Sequence, residues 1–332
     1  MLAAESQGLA LSFTDTFFHS STGHYGSARV KHPAIPANNY NSHPFGLLTY
    51  SGASKKWVRG PSGLLIESDP ALTLPYEWDE NGDLLGIRVE EQRTNLQVQS
   101  MTIGGTGWTL IASATVDLNN AIAPDGTTTA TLISGGGQTS GRVQSTAEIS
   151  VSASTNYTAS VFLKQGTTNL SRVAVYNGAV STALGGVAIA WSNGVPSTSS
   201  SDTGTSNINY EELPDGWWRL SFTFSTGEAT TAKMLVYPHV TGTGTATKFA
   251  WGPQLEQGSF PTSYIPTAGS TVTRAADVIG PALDKFPWNE GNGVLTVNDE
   301  EVEPSDDGTI LLLEPPDGDT HIRTVKWIPE AA

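Results

Sequence analysis

Short runs of β-branched and aromatic residues recur along most of this chain, each closed by Gly, Asn, Asp or Pro. No window keeps apolar residues at i, i+3, i+4 and i+7 over three turns. Together these features exclude helical bundles and leave sheets packed on sheets. The clearest runs are 127–133, 157–164, 172–176, 186–191, 217–225, 233–237 and 248–251. Residues 157–164, Tyr-Thr-Ala-Ser-Val-Phe-Leu-Lys, alternate in part, as a strand with one covered face does. Many short strands at this spacing predict an all-β chain with a jelly-roll or lectin-like β-sandwich over residues 95–280.

The flanks read differently. In residues 1–94, Pro33, Pro36, Pro44, Pro61, Pro70 and Pro75 break nearly every apolar run. Proline cannot donate to a central ladder, so this stretch predicts an extended wrap with edge strands, docked on the sandwich. Trp57, Leu64, Leu65, Ile66, Leu84, Leu85, Ile87 and Val89 are its anchors. Residues 281–332 hold twelve Asp and Glu against three Lys and Arg, and so carry −9 of the net −15. Apolar runs at 294–297, 309–313 and 321–327, separated by Asp/Gly/Pro turns, predict a small acidic β unit there. Its charge suits docking against a basic neighbour better than contact with an anionic surface.

Several chemistries fall away. With no cysteine there is no disulfide and no thiolate nucleophile. No apolar stretch nears the roughly 18 residues of a membrane helix, so no membrane insertion is expected. The first eleven residues carry Glu5 and no basic cluster, unlike a signal peptide. A net charge of −15 opposes binding to a nucleic-acid backbone. Asp79, Asn81, Asp83 and Glu90 match positions 1, 3, 5 and 12 of a calcium loop, but position 6 is Leu84 where glycine is required, so a hairpin turn is the better reading. His19, His24, His32 and His43 have no metal-ligand spacing, and no metal site is expected. Adjacent carboxylates such as Glu90/Glu91 and Glu211/Glu212 point to opposite faces of a strand, and there is no Gly-x-Ser-x-Gly elbow. The chain is therefore not expected to be an enzyme.

The aromatic residues offer more. Sugars bind on flat aromatic faces, with amides and carboxylates nearby for the hydroxyls. Tyr176, Trp191 and Tyr210 lie beside the polar loops around Asn177, Asn193 and Asn207, and are the candidate carbohydrate-binding residues. Trp108, Trp217 and Trp251 read as core.

Five motifs occur in one order: Glu91-Gln-Arg-Thr-Asn-Leu-Gln-Val-Gln-Ser100, Asp215-Gly-Trp-Trp-Arg219, Trp251-Gly-Pro-Gln-Leu-Glu-Gln-Gly258, Thr262-Ser-Tyr-Ile-Pro-Thr267 and Thr273-Arg-Ala-Ala-Asp277. In this order they resemble a family of tailed-bacteriophage and prophage virion proteins with a carbohydrate-binding-module-like, lectin-type β-sandwich. The resemblance spans residues 60–280. It implies a virion protein of a tail fibre, baseplate or capsid-surface fibre, commonly a homotrimer, whose sandwich adheres to host-surface glycans. The alternative it allows is a purely structural capsid decoration or tail adaptor that binds only other virion proteins. Related sugar-binding modules hold a structural calcium through an Asp on the last strand; here that strand reads Trp251-Gly-Pro-Gln-Leu-Glu, so no cofactor is expected. Arg219 and Arg274 are placed to pair with carboxylates.

Overall fold

The computed structural model describes residues 9–12, 48–52, 54–68, 75–138, 140–239, 246–281, 293–297, 300–302, 321–322 and 324–329. The predicted strand at 309–313 and the four early histidines lie outside the described residues. Two units are distinguished: Gly63–Ile66 with Arg93–Arg274, and Met1–Ser62 with Glu67–Gln92 and Ala275–Ala332.

The first unit is a sandwich of two antiparallel sheets, as its sequence predicts. Its strands are β1 (Trp108–Ile111), β2 (Thr115–Ala121), β3 (Ala130–Ser134), β4 (Arg142–Ser145), β5 (Asn156–Gln165), β6 (Leu170–Asn177), β7 (Ala183–Ser192), β8 (Val195–Ser201), β9 (Ser206–Glu212), β10 (Trp217–Ser225), β11 (Thr231–Tyr237) and β12 (Thr247–Gln257). One sheet runs β9-β10-β5-β12-β3-β2 and the other β8-β7-β6-β11-β4-β1, with Ile149–Ser150 added against β11. The core lies between them and follows the period of two. Tyr157, Ala159, Val161 and Leu163 of β5 face inward, level with Phe224, Phe222 and Leu220 of β10. Val173 and Val175 of β6 meet them from the second sheet, beside Val187, Ile189 and Trp191 of β7 and Met234 and Val236 of β11.

β5 is buried on its other face too. There Phe162 packs edge-on to Trp251 and Tyr264, with ring centroids 5.4 and 6.0 Å away. Tyr264 belongs to the segment after β12, and that segment is tied down by polar side chains. Asn95 Nδ2 donates to the Ile265 carbonyl at 2.8 Å, while its Oδ1 accepts from the Gln97 and Leu255 amides. Gln254 Oε1 accepts from the Ile265 amide at 2.8 Å, and the Glu256 carboxylate accepts from both the amide and hydroxyl of Thr262. Arg219 donates to the Thr262 carbonyl at 2.7 Å and Arg274 to the Ser263 hydroxyl at 2.8 Å. All five sequence motifs thus converge on one buried latch. Gly258 completes it at φ 136°, where a Cβ would fall 1.6 Å from the Arg93 guanidinium.

In the other unit, Leu9–Ser12, Thr324–Pro329, Gly293–Val297 and Glu300–Val302 form one sheet in that order. Leu48–Gly52 pairs with Asp277–Pro281, and Leu84–Arg88 lies between Tyr76–Trp78 and His321–Ile322. The expected division into an N-terminal wrap docked on the sandwich and a separate acidic unit differs from this grouping, because strands from both ends of the chain hydrogen-bond to each other. The Asp79–Asp83 segment is a turn, as read: Asp79 Oδ1 accepts from the amides of Asn81 and Asp83. Glu90 serves elsewhere, in a buried charge cluster. Lys56 Nζ pairs with Asp277 and lies 3.5 Å from Glu90, and Arg88 bridges Glu90 at 2.8 Å and Glu77 at 2.6 Å.

Candidate carbohydrate-binding face

Strands β6 and β11 carry the same spacing, Arg172-Val-Ala-Val-Tyr176 and Lys233-Met-Leu-Val-Tyr237. A cation and a tyrosine four residues apart on a strand share a face. The valines and Met234 between them fill the core, so the cations and tyrosines occupy the outer face of the second sheet. The strands are antiparallel, with Arg172 opposite Tyr237 and Tyr176 opposite Lys233. The two tyrosines are therefore diagonal, about 13 Å apart along the strand direction. Between them Ala174 and Leu235 are paired across the two strands and buried, although they too face outward from the core. The result is a face with one half-exposed ring, Tyr176, and one buried ring, Tyr237, to whose floor Gly186 and Ala188 of β7 contribute.

Polar groups ring this surface. Arg172 Nη2 donates to Asp202 Oδ2 at 2.6 Å. Asp202 reaches across β7 because Gly186 has no side chain: a Cβ there would lie 2.6 Å from its Oδ2. Arg172 Nε is buried without a hydrogen-bond partner. Arg142 of β4 sits over the Tyr237 ring, 5.4 Å from its centroid, and donates from Nε to Gln144 Oε1 at 3.0 Å. Lys233 lies 3.9 Å from Glu148. Burial raises the Tyr237 pKa, so the phenol stays a neutral group. The Arg142, Arg172, Lys233, Asp202 and Tyr176 side chains are all partly exposed. Such a face can cover the C–H side of a sugar ring and bond its hydroxyls, but it holds no nucleophile beside a base. Among the described residues no group of three His, Cys, Asp or Glu is placed to hold a metal ion.

The three residues expected to bind sugar do not come together. Tyr176 is on this face. Trp191 is not: it is 4% exposed, packs in the core, and donates from Nε1 to Ser171 Oγ at 2.8 Å. Its amide bonds the Asn169 carbonyl, seven residues from Tyr176 along β6 and so about 23 Å away. The reading of Trp191 as a solvent-facing platform is corrected by its parity: it shares a side with Val187 and Ile189. Tyr210, on β9 of the other sheet, packs against the rim of the core with its hydroxyl 3.1 Å from Thr198 of β8. Tyr237, Arg172, Arg142 and Asp202 were missed from the sequence. The repeated cation-x-x-x-Tyr spacing on two strands was the signal that could have found the first two.

No family model matches the chain, and no curated protein does. Among solved structures it is similar to the CBM22-1 xylan-binding domain of Paenibacillus barcinonensis Xyn10C, at 10% identity and a TM-score of 0.31, over 51% of this chain and 94% of that one. It is similar also to the CBM22-1–GH10 modules of Clostridium thermocellum xylanase 10B in complex with xylohexaose, at 11% identity and a TM-score of 0.31, over 51% of this chain and 29% of that one. A third similar structure is arabinose-bound MgGH51 α-L-arabinofuranosidase, at 13% identity and a TM-score of 0.34, over 64% of this chain and 32% of that one.

Proposed function

We propose that this chain is a non-enzymatic adhesion protein of a tailed-phage particle, and that it binds host-surface glycan through the outer face of the second sheet. The observation that carries the glycan reading is the half-exposed Tyr176 ring on the outer face of the second sheet, with Arg142, Arg172, Lys233 and Asp202 partly exposed on the same face. The virion setting is supported by the order of the five motifs. The same reading takes the assembled form to be a homotrimer, which light scattering at micromolar concentration checks. Retention of the full chain in glycan-loaded gels tests the face. Tyr176→Ala is expected to weaken retention about tenfold, the worth of one stacking aromatic. Trp191→Phe, a change inside the core, is expected to leave retention within twofold. Retention that ignores Tyr176→Ala and falls with Trp191→Phe would reverse the assignment.

One observation favours the alternative, a structural adaptor that binds only other virion proteins. The motifs that carry the resemblance lie in the latch and, through Asp277, in the ion cluster, and none supplies a residue to the tyrosine face. A chain that enters particles normally and is retained by no glycan would establish that reading.

A further inference from the structure

We infer that the sugars recognised on the tyrosine face are acidic, bearing carboxylates such as those of uronic acids. This rests on the glycan-binding reading above and narrows it. The chain carries −15 overall, yet this face holds three cations, Arg142, Arg172 and Lys233, against two carboxylates, Asp202 and Glu148. A strongly acidic protein repels a polyanion at long range, so a locally positive face is where an acidic polymer can settle. The cations are spread around the rings. Arg172 and Lys233 stand opposite the two tyrosines on neighbouring strands, at the two ends of the aromatic surface. Arg142 lies over the Tyr237 ring itself.

Two of these groups have hydrogen-bonding capacity to spare. Arg142 bonds the Gln144 side chain and the Ser140 carbonyl, both neutral, and has no carboxylate partner among the described residues. Arg172 is partly exposed and binds Asp202 through Nη2, leaving Nη1 for a ligand. A guanidinium fork fits a planar carboxylate better than it fits a lone hydroxyl. A neutral sugar would use the rings and leave the Arg142 charge unanswered. A run of uronates that stacks on the half-exposed Tyr176 and continues along the sheet presents a carboxylate to Arg142 and fulfils both.

The test compares polymers that differ only in charge. The full chain is run in gels loaded with polygalacturonate, alginate or hyaluronan, each beside its carboxyl-reduced form, with poly-L-glutamate as a non-sugar polyanion. Retention by at least one acidic polysaccharide is expected, weakened roughly tenfold or more by carboxyl reduction. It should also weaken to a similar degree in Arg142→Gln and in Arg172→Gln, and as salt is raised. Arg142→Gln breaks no ion pair, so it keeps the test intact if Arg172→Gln unfolds; thermal melts of both variants check this. Equal retention by acidic and reduced forms, abolished by Tyr176→Ala, overturns the acid preference and leaves the glycan reading standing. Equal retention by poly-L-glutamate overturns the inference in favour of an acidic protein partner. Binding that survives both arginine variants, or no retention by any of the polymers, also overturns it.

Discussion

Lys248 enters the core at the start of β12, fully buried, with its Nζ 3.5 Å from the centroid of the Trp191 ring and no hydrogen-bond partner. The indole face favours the ammonium, but burial weighs more and pushes the pKa down to about 6. The sign of the pH dependence follows. Between about 6 and the unfolded value of 10.5 the unfolded chain binds the proton that the folded chain has lost, so this group makes stability rise with pH across that window. Chemical denaturation at pH 7 and pH 9 is expected to show a gain on the order of 1 kcal/mol per pH unit. Lys248→Met should flatten that slope; an unchanged slope would mean that the lysine stays charged inside the protein. The neighbouring Trp191 shows what was legible at this scale. In Gly186-Val-Ala-Ile-Ala-Trp191 the large residues alternate with small ones, so tryptophan shares the parity of Val187 and Ile189, and that pattern already placed it in the core. Tyr176 has the opposite parity to Val173 and Val175, and the same argument sends it outward. Arg142 and Asp202 carry no such signal, because which strand lies beside β6 and β7 is fixed by pairing between distant residues.

The interior strands were legible because they are apolar. β5, β6, β7, β10, β11 and β12 each fall on a predicted run, with the ends of most extended by one or more residues. The strands at the sheet edges escaped: β2 reads Thr-Val-Asp-Leu-Asn-Asn-Ala, β8 Val-Pro-Ser-Thr-Ser-Ser-Ser and β9 Ser-Asn-Ile-Asn-Tyr-Glu-Glu. An edge with unpaired backbone is kept polar, or given a proline, to discourage pairing with another chain, and this is the composition that a search for apolar runs passes over. The latch over β5 had a signal of another kind. Its motifs are rich in polar residues, yet Asn95, Arg219, Gln254 and Glu256 are buried. Asn95→Ala removes one donor to Ile265 and strands the amides of Gln97 and Leu255, each costing about 1–3 kcal/mol when left unpaired. The expected outcome is a loss of roughly 2–5 kcal/mol in denaturant titration, together with faster proteolysis at 259–267. A variant that loses stability but keeps that segment protected would mean that the aromatic cluster, not Asn95, holds it.

At the scale of the whole molecule, the strand pairing of the two ends sets what a truncation does. Cutting after Gly280 removes Thr324–Pro329, the partner of Leu9–Ser12, and His321–Ile322, the partner of Leu84–Arg88. Hydrogen exchange should then lose protection at Leu9–Ser12, although those residues are still present. Retained protection there would mean that they fold independently of the tail. Lys56→Met is expected to be costly as well, about 3–5 kcal/mol, since it removes a buried ammonium from its contacts with Asp277 and Glu90. The unit bounded by residues 93 and 274 begins and ends on paired strands: Arg93–Asn95 lies antiparallel to Val272–Arg274, with Thr94 and Thr273 joined by a 2.8 Å hydroxyl contact. A domain whose two ends meet behaves as a cassette. Recombination that replaces residues 93–274 exchanges both sheets and the tyrosine face together. The chain can then diverge by exchange of whole sandwiches as readily as by point mutation of a tyrosine.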